Sequence, residues 1–177
     1  GAGNDIMTGG EGADIYTGGA GLDGAILTEI TSVADTIVIN AVVATSEDSG
    51  RNTVVGNDND TGDDTITGIT WGTDIIKVVA TNVLGGFNVA NDVAIGTATG
   101  NKDDATVGSF LATVGLIELD SETNNAKWGD AGDVAITFAS PSAALSAANL
   151  KSSLAVDLTG NSGNDTWNLT ENDDIFR

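Results

Sequence analysis

The chain contains no cysteine, no histidine and only one proline among its 177 residues. The first two absences exclude disulfides, thiolate metal sites, zinc sites of the HExxH type, and nucleophile pairs of the Ser-His-Asp or Cys-His type. Aromatic residues make up only 5% of the chain, and six basic residues stand against twenty-six acidic ones. The resulting formal charge of −20 repels phosphate backbones and anionic lipid headgroups. We therefore expect no nucleic-acid partner, and no apolar run is long enough to span a membrane.

What the chain has instead is aspartate and glycine. Twenty Asp outnumber six Glu, and many of them stand beside the twenty-four Gly or beside Asn. Asp next to Gly favours turns over helices, and its carboxylate is a hard oxygen ligand suited to calcium. A hydrophobic content of 40% is too high for a disordered chain. The composition therefore predicts a β-rich fold with tight turns and oxygen-ligand metal sites.

The first 26 residues repeat with a period of nine, as GAGNDIMT, GGEGADIYT and GGAGLDGAI. Large apolar residues follow the first two aspartates by two positions, at Met7 and Tyr16, and Ala25 holds that place in the third copy. We expect six residues to form a loop in which Gly allows positive φ, and three to form a short strand whose large side chain faces inward. Two repeats then make one turn, so that loops eighteen residues apart stack and a hard cation can lie between them.

This pattern, GGxGxDxUx, resembles the repeats-in-toxin (RTX) calcium-binding family, which occurs in bacterial S-layer proteins, adhesins and secreted hydrolases. The resemblance implies a parallel β-roll in which backbone carbonyls and the Asp of one loop meet those of the loop one turn later. On this sequence the resemblance implies a first calcium site made of Gly1, Gly3, Asp5, Gly18, Ala20 and Asp23.

The resemblance implies a second calcium site that begins with Gly10, Gly12 and Asp14. One turn later, this loop meets Leu27, Glu29 and Ser32, where no Asp stands at the required position. The resemblance leaves the second site incomplete unless Glu29 or the later Asp35 supplies the missing carboxylate.

The last eighteen residues keep the nine-residue phase in degraded form. Asp165 and Asp174 are nine residues apart, and Trp167 and Phe176 follow them by two positions. The segment GNSGNDTWN retains family glycines, whereas LTENDDIFR has none. Two interpretations stay open: a further calcium site with Gly163, Asp165 and Asp174, or a solvated acidic strand. Because both ends are in phase with the repeat, we expect the chain to be one module of a longer array.

Between Thr28 and Leu158 the nine-residue phase is lost, and short β-branched runs replace it. We expect them to be strands of a sheet or sandwich, at 35–39, 64–70, 74–79, 87–95, 114–119 and 133–138. One helix is predicted near 141–154, with Ser140 as its cap, Pro141 at its first position, and an apolar stripe of Ala143, Ala147, Leu150 and Leu154. The predicted organisation is a roll at 1–27, a β-rich domain at 28–158 and degenerate repeats at 159–177.

Four further acidic segments are either calcium loops or solvated turns, and none matches an EF-hand: 56–64, 101–104, 120–125 and 129–133. Trp71, Trp128 and Trp167 either belong to the core or stack on sugar rings, and core packing is the more common role. No pair of carboxylates is singled out as catalytic, so we expect no enzymatic activity in this chain.

The expected fold is all-β: a parallel β-roll joined to a β-sandwich or sheet-rich region with one short helix. The resemblance implies a calcium-binding structural module of a secreted bacterial surface protein, S-layer-like or adhesin-like, exported by a type I apparatus and folding and assembling when extracellular calcium binds. The expected partners are calcium, other copies or neighbouring modules of the same protein, and cell-surface polysaccharide. The alternative is the non-catalytic calcium-binding region of a secreted protease or lipase.

Overall fold

The computed structural model describes residues 5–18, 23–31, 33–42, 64–83, 86–90, 93–95, 114–118, 133–139, 144–160 and 166–177. These residues form thirteen strands and one short helix, so this part of the chain is mostly β, as predicted. Most of the strand pairs are parallel, and the two antiparallel pairs join neighbouring strands of one sheet.

The nine-residue repeat forms the first three strands: β1 (Ile6–Thr8), β2 (Ile15–Tyr16) and β3 (Gly24–Ile26). Their side chains alternate as predicted, because successive residues of a strand point to opposite faces. Tyr16 is 3% exposed, whereas Ile15, its neighbour in the strand, is 76% exposed. The apolar residue two positions after each repeat Asp therefore faces the core, and the residue directly after the Asp faces outward.

The middle of the chain supplies seven strands: β4 (Thr36–Val42), β5 (Asp64–Thr67), β6 (Ile75–Val83), β7 (Gly86–Asn88), β8 (Val93–Ile95), β9 (Val114–Glu118) and β10 (Asp133–Ala139). Each predicted run contains strand, but the run predicted at 87–95 is two strands that lie in different sheets. The run predicted at 64–70 stops at Thr67, because Gly68 turns the chain with a φ of +83°. A Cβ at position 68 would lie 2.6 Å from the Thr28 hydroxyl oxygen, so the turn also requires a residue without a side chain here.

The helix is shorter than the sequence predicts. Helix α1 covers Ala147–Ser152, and its N-cap is Ser146, whose side chain accepts the Asn149 N–H. Leu154, placed in the predicted helix, instead begins strand β11 (Leu154–Gly160). The reason is tertiary: β11 pairs along its length with β6, which satisfies seven residues of backbone in a sheet rather than in one more turn of helix. The predicted cap and first turn, 140–143, lie outside the described residues.

Two short strands end the chain: β12 (Thr166–Asn168) and β13 (Ile175–Phe176). β12 pairs in parallel with β7, and β13 pairs in parallel with β11. Asp157 of β11 lies opposite Ile175 of β13, so the spacing of eighteen residues returns in this tail.

The strands form two large sheets and a two-stranded one. The strand order is β1-β3-β5-β10-β9-β8 in the first sheet and β13-β11-β6-β4-β2 in the second. The first six strands alternate between these two sheets, odd-numbered strands in the first and even-numbered strands in the second. Ile6 of β1 lies opposite Gly24 of β3, eighteen residues later, and the two strands pair in parallel. Strands from all three predicted segments share these sheets, since β3 pairs with β5 and β11 pairs with β13.

One hydrophobic core takes residues from both large sheets. Its fully buried members include Ile37 of β4, Ile76 of β6 and Ile136 of β10. Burying one such side chain contributes about 1.5–3 kcal/mol to the transfer free energy. The core fixes the strands, and the loops that join the strands carry the acidic residues considered next.

Candidate metal centre

Six aspartates among the described residues directly precede a strand, namely β1, β2, β3, β4, β6 and β13: Asp5, Asp14, Asp23, Asp35, Asp74 and Asp174. Three of these side chains are buried, with exposed fractions of 3% for Asp23, 1% for Asp35 and 3% for Asp74. A buried carboxylate costs several kcal/mol unless hydrogen-bond donors or cations surround it. Each of these aspartates therefore needs an identifiable partner.

The first partner is the backbone of the preceding turn. The Asp5 N–H donates to Asp23 Oδ1 at 2.8 Å, and the Asp14 N–H donates to Asp35 Oδ1 at 2.9 Å. The Asp35 N–H donates in turn to Asp74 Oδ1 at 3.2 Å. Hydrogen bonds of this kind to an ionised acceptor are among the stronger ones in proteins. These hydrogen bonds thus join consecutive turns of the chain independently of any bound cation.

Three carboxylates converge at one loop end, which we call the acidic corner: Asp14, Glu29 and Asp35. An oxygen from each lies within 4.8 Å of the other two. Asp35 is buried, and Asp14 and Glu29 are partly buried. Asp14 Oδ2 and Glu29 Oε1 are buried oxygens that accept no hydrogen bond within the described chain. Three negative groups this close, two of them with an orphaned buried oxygen, form a set that a bound cation would satisfy.

Glycines shape the loop that carries Asp14. Gly10 and Gly12 have φ values of +99° and +111°, which confirms the prediction that repeat glycines adopt positive φ. Gly9 lies so close to the corner that a Cβ there would be 2.0 Å from Asp14 Oδ2. The glycine-rich loop therefore lets the backbone pass directly beside the carboxylate.

Backbone N–H groups of the loop that carries Glu29 donate to two glutamates, Glu11 and Glu29 itself. Glu11, in the first loop, accepts the N–H groups of Ile30 at 2.9 Å and Thr31 at 3.4 Å, one turn later. Glu29 Oε2 accepts the Val33 N–H at 3.0 Å, while Glu29 Oε1 is buried and accepts no hydrogen bond from a described residue. The two loops are thus joined on the side where the carboxylates meet.

The Tyr16 hydroxyl lies beside the acidic corner. It accepts the Gly9 N–H at 3.1 Å and lies within donating distance of Ile26 O, at 3.2 Å, and of Asp35 Oδ2, at 3.4 Å. Burial raises the pKa of this hydroxyl, and the negative charges of Asp35 and Asp14 raise it further. The hydroxyl therefore stays protonated and can donate to a carboxylate. The repeat predicts only an inward apolar residue here, and nothing in the spacing indicates the role of the hydroxyl.

The structure brings together some of the residues predicted as calcium ligands, and the set differs between the two predicted sites. Asp5 and Asp23 of the first site are joined across eighteen residues, and Gly18 is buried. In the second site Gly10 and Gly12 share the Asp14 loop, and both alternatives for the missing carboxylate, Glu29 and Asp35, lie beside Asp14. Leu27 is buried in the hydrophobic core. Several predicted ligands lie outside the described residues: Gly1, Gly3, Ala20, Ser32, Gly163 and Asp165.

The tail has a second loop end, which we call the amide corner: Thr170, Asn172 and Asp174. Asp174 Oδ1 accepts the Val156 N–H at 2.8 Å, and Asp174 Oδ2 accepts the Thr170 N–H at 2.6 Å. The Asn172 side-chain amide donates to Ser152 O at 3.1 Å and Leu154 O at 2.7 Å. Both oxygens of Asp174 therefore have donors, and a side-chain amide joins this corner to the preceding turn.

A third corner resembles the amide corner. The Thr70 N–H donates to Asp74 Oδ2 at 2.7 Å, four residues apart, as the Thr170 N–H does to Asp174. Burial raises the pKa of Asp74, while the N–H groups of Thr70 and Asp35 oppose this shift. A threonine four residues before an aspartate thus marks a corner closed by hydrogen bonds.

The described tryptophans pack against other aromatic rings. Trp71 meets Phe138 edge to face with ring centres 5.0 Å apart, and Trp167 stacks on Phe176 at 5.9 Å. Both tryptophans are partly buried against the hydrophobic core. Trp128 and the segments 101–104 and 120–125 lie outside the described residues, as do most residues of 56–64 and 129–133.

A scan against family models, a search of curated proteins and a search of solved structures each returned no match. Within the described part of the chain, no helix has the length and apolar character needed to cross a membrane.

Proposed function

We propose that this chain is a calcium-binding structural module of a secreted bacterial surface protein, and that calcium stabilises its fold by binding at the acidic corner. The observation that carries the proposal is the convergence of Asp14, Glu29 and Asp35 within 4.8 Å. Two oxygens of this cluster are buried and accept no hydrogen bond from the described residues. Bringing these three charges together on folding is unfavourable unless a cation neutralises them.

The chemistry of the donor set favours calcium. Every ligand at the corner is an oxygen, since the chain has neither histidine nor cysteine. Calcium binds six to eight oxygens in flexible geometry, whereas magnesium requires a near-ideal octahedron and gives up its water reluctantly. The Asp14, Glu29 and Asp35 carboxylates would hold the ion, and it would supply only charge neutralisation and a bridge between two turns.

The proposed fold around the site is a parallel β-roll, as the RTX resemblance implies. Two features support it: the first six strands alternate between two sheets, and Ile6 of β1 pairs with Gly24 of β3 at a spacing of eighteen residues. In such a coil each loop lies on the loop of the next turn. A cation between two loops therefore strengthens the contact between turns.

The proposed location is outside the cell. Extracellular calcium modules hold the ion with a Kd of about 10⁻⁴–10⁻³ M, so such a site is empty in cytosol and filled at the calcium concentrations found outside cells. The charge of −20 agrees with this role, because self-repulsion opposes folding until calcium binds. Neighbouring modules of the same protein are the proposed partners.

The test measures the free energy of unfolding and the Tm of the chain, once with calcium and once with a chelator. With free calcium about a hundredfold above the Kd, we expect about 2.7 kcal/mol of added stability, or a Tm roughly 5–10 °C higher. Asp35→Asn should lose this increment, because it removes the buried carboxylate of the corner. In chelator the same variant should be at least as stable as the unaltered chain, since the amide oxygen can still accept the Asp14 N–H and one negative charge is gone.

The matched control is Asp173→Asn, which removes one charge from an exposed position outside the corner. This variant should keep the full calcium increment. An unaltered chain with the same Tm in calcium and in chelator would contradict the proposal, as would an equal loss of the increment in both variants.

A further inference from the structure

Glu11 joins the two loops that meet at the acidic corner, although it is not one of the three clustered carboxylates. It lies three residues before Asp14. Its Oε1 accepts the Ile30 N–H at 2.9 Å, and its Oε2 accepts the Thr31 N–H at 3.4 Å. Ile30 and Thr31 directly follow Glu29 in the chain. Both carboxylate oxygens of Glu11 thus bind the backbone of the loop that carries Glu29.

Side-chain packing does little to hold the loop that carries Glu29. Leu27 and Asp35, on either side of the loop, are buried, whereas Ile30 in its middle is 95% exposed. The described residues between these two buried positions are exposed or only partly buried. An exposed side chain gains little burial energy in one loop conformation over another. The position of Glu29 therefore depends on hydrogen bonds to the loop backbone, and Glu11 accepts two of them.

The position of this loop bears directly on the proposed cation site. Glu29 supplies one of three carboxylates whose oxygens lie within 4.8 Å of one another. Its Oε1 is buried and accepts no hydrogen bond from a described residue. When a site is competent for only a fraction of the time, its apparent Kd rises by the inverse of that fraction. Fixing the backbone beside Glu29 before the ion arrives avoids this loss of affinity.

We propose that Glu11 is a positioning residue that sets the calcium affinity of the acidic corner by holding the loop with Glu29 in place. This inference rests on the proposed calcium function and adds a residue that lies outside the carboxylate cluster. Glu11 acts by accepting hydrogen bonds, since both its oxygens are engaged with backbone N–H groups. The clustered carboxylates would hold the ion, and Glu11 holds the loop.

The tail of the chain provides a matched control position. Glu171 lies three residues before Asp174, as Glu11 lies three residues before Asp14, and both glutamates are exposed. The amide corner beside Glu171 is closed by hydrogen bonds and is not proposed to bind the ion. Glu171→Ala therefore removes the same side chain, at the same distance from an aspartate, without changing the acidic corner.

Two substitutions separate the reach of the Glu11 side chain from its charge. Glu11→Gln removes the charge but keeps an oxygen that can accept the Ile30 N–H, whereas Glu11→Asp keeps the charge on a side chain one methylene shorter. Isothermal titration calorimetry gives the Kd of the acidic corner, identified as the binding component that Asp35→Asn lacks. This Kd should rise about tenfold in Glu11→Ala and Glu11→Asp, and by less than about threefold in Glu11→Gln and Glu171→Ala.

The Tm in chelator is the second readout, and it separates positioning from a purely structural role. Because the hydrogen bonds of Glu11 are exposed, Glu11→Ala should lower this Tm by no more than about 3 °C. A larger loss of Tm in chelator with an unchanged Kd would overturn the inference. So would Glu11→Gln binding calcium as weakly as Glu11→Ala, or Glu11→Asp binding it as tightly as the unaltered chain.

The unaltered chain distinguishes failure of this inference from failure of the proposed function. If the unaltered chain binds calcium at the corner and every Glu11 variant binds it equally well, only the role of Glu11 is wrong. If the unaltered chain binds no calcium, or if Asp35→Asn binds it as the unaltered chain does, the proposed function is wrong and this inference fails with it.

Discussion

The acidic corner and the amide corner differ in what surrounds the carboxylate of their aspartate. In each, an aspartate directly before a short strand lies against a neighbouring turn of the chain. At the amide corner, Asn172 donates to two backbone carbonyls, and Asp174 accepts hydrogen bonds at both oxygens. At the acidic corner three carboxylates meet, and two of their oxygens are buried without a donor from the described chain. The difference shows that the repeat aspartate has two uses, as a hydrogen-bond acceptor and as a candidate cation ligand.

The loops explain why the corners differ. The acidic corner follows two glycines at positive φ, and Gly9 brings the backbone against Asp14 where a Cβ would be 2.0 Å from the carboxylate. The tail loop has no glycine, and Thr170 supplies the N–H and hydroxyl donors that Asp174 needs. At the amide corner, hydrogen-bond donors of Thr170 thus satisfy the aspartate, whereas at the acidic corner a cation is proposed to do so.

The largest expected effect is that of Asp174→Ala at the amide corner. The N–H groups of Val156, which is buried, and of Thr170, which is partly buried, would lose their acceptor. We expect a loss of about 2–4 kcal/mol in the free energy of unfolding, measured by denaturant titration and equal in calcium and chelator. Asp174→Asn keeps one acceptor oxygen and should lose about half as much. A loss seen only in calcium would mean that this corner also binds the cation.

Asn172→Asp tests whether one corner can be converted into the other. The new carboxylate would face the carbonyl oxygens of Ser152 and Leu154 in place of the amide donor. We expect a loss of about 1–3 kcal/mol in chelator, because two acceptors lose their donor and a charge is added. Calcium should restore part of this loss, since the corner then offers two carboxylates and two carbonyls. Asn172→Ala should show a comparable loss that calcium does not restore, and the comparison fails if the two variants respond to calcium alike.

The smallest expected effect is that of Tyr16→Phe at the acidic corner. The Gly9 N–H would lose its acceptor, and Asp35 would lose a neighbouring hydroxyl. We expect a loss of about 1 kcal/mol in chelator and a calcium increment that is reduced but present, measured by thermal unfolding at several calcium concentrations. Complete loss of the increment would show that the hydroxyl is needed for binding rather than for positioning Asp35.

Much of the first three strands could be predicted from the sequence, because the repeat is local. A period of nine with an apolar residue two positions after each Asp predicts the strand positions, the inward side of Tyr16 and the pairing of Ile6 with Gly24. The candidate site could be predicted only in part. The spacing of Asp14 and Asp35 is twenty-one residues rather than eighteen, so the repeat alone left the choice between Glu29 and Asp35 open.

Other elements could not be predicted because distant residues decide them. The apolar stripe that favours helix up to Leu154 gives way to strand because Leu154 pairs with Ile76, far away in the sequence. The run predicted at 87–95 alternates apolar with small or polar residues, and nothing local indicates that Phe87 and Val93 belong to different sheets. Propensity describes each segment alone, whereas pairing depends on which strand lies beside it.

The sequence by itself determined the excess negative charge, the absence of nitrogen and sulfur ligands, and the loop-and-strand repeat with an aspartate before each strand. These properties depend on composition and on neighbours within nine residues. Only the tertiary structure decided which aspartates accept backbone N–H groups and which meet other carboxylates, because the turns that bring them together differ in length. A carboxylate acquires its role from the atoms packed around it, and those atoms come from distant parts of the chain.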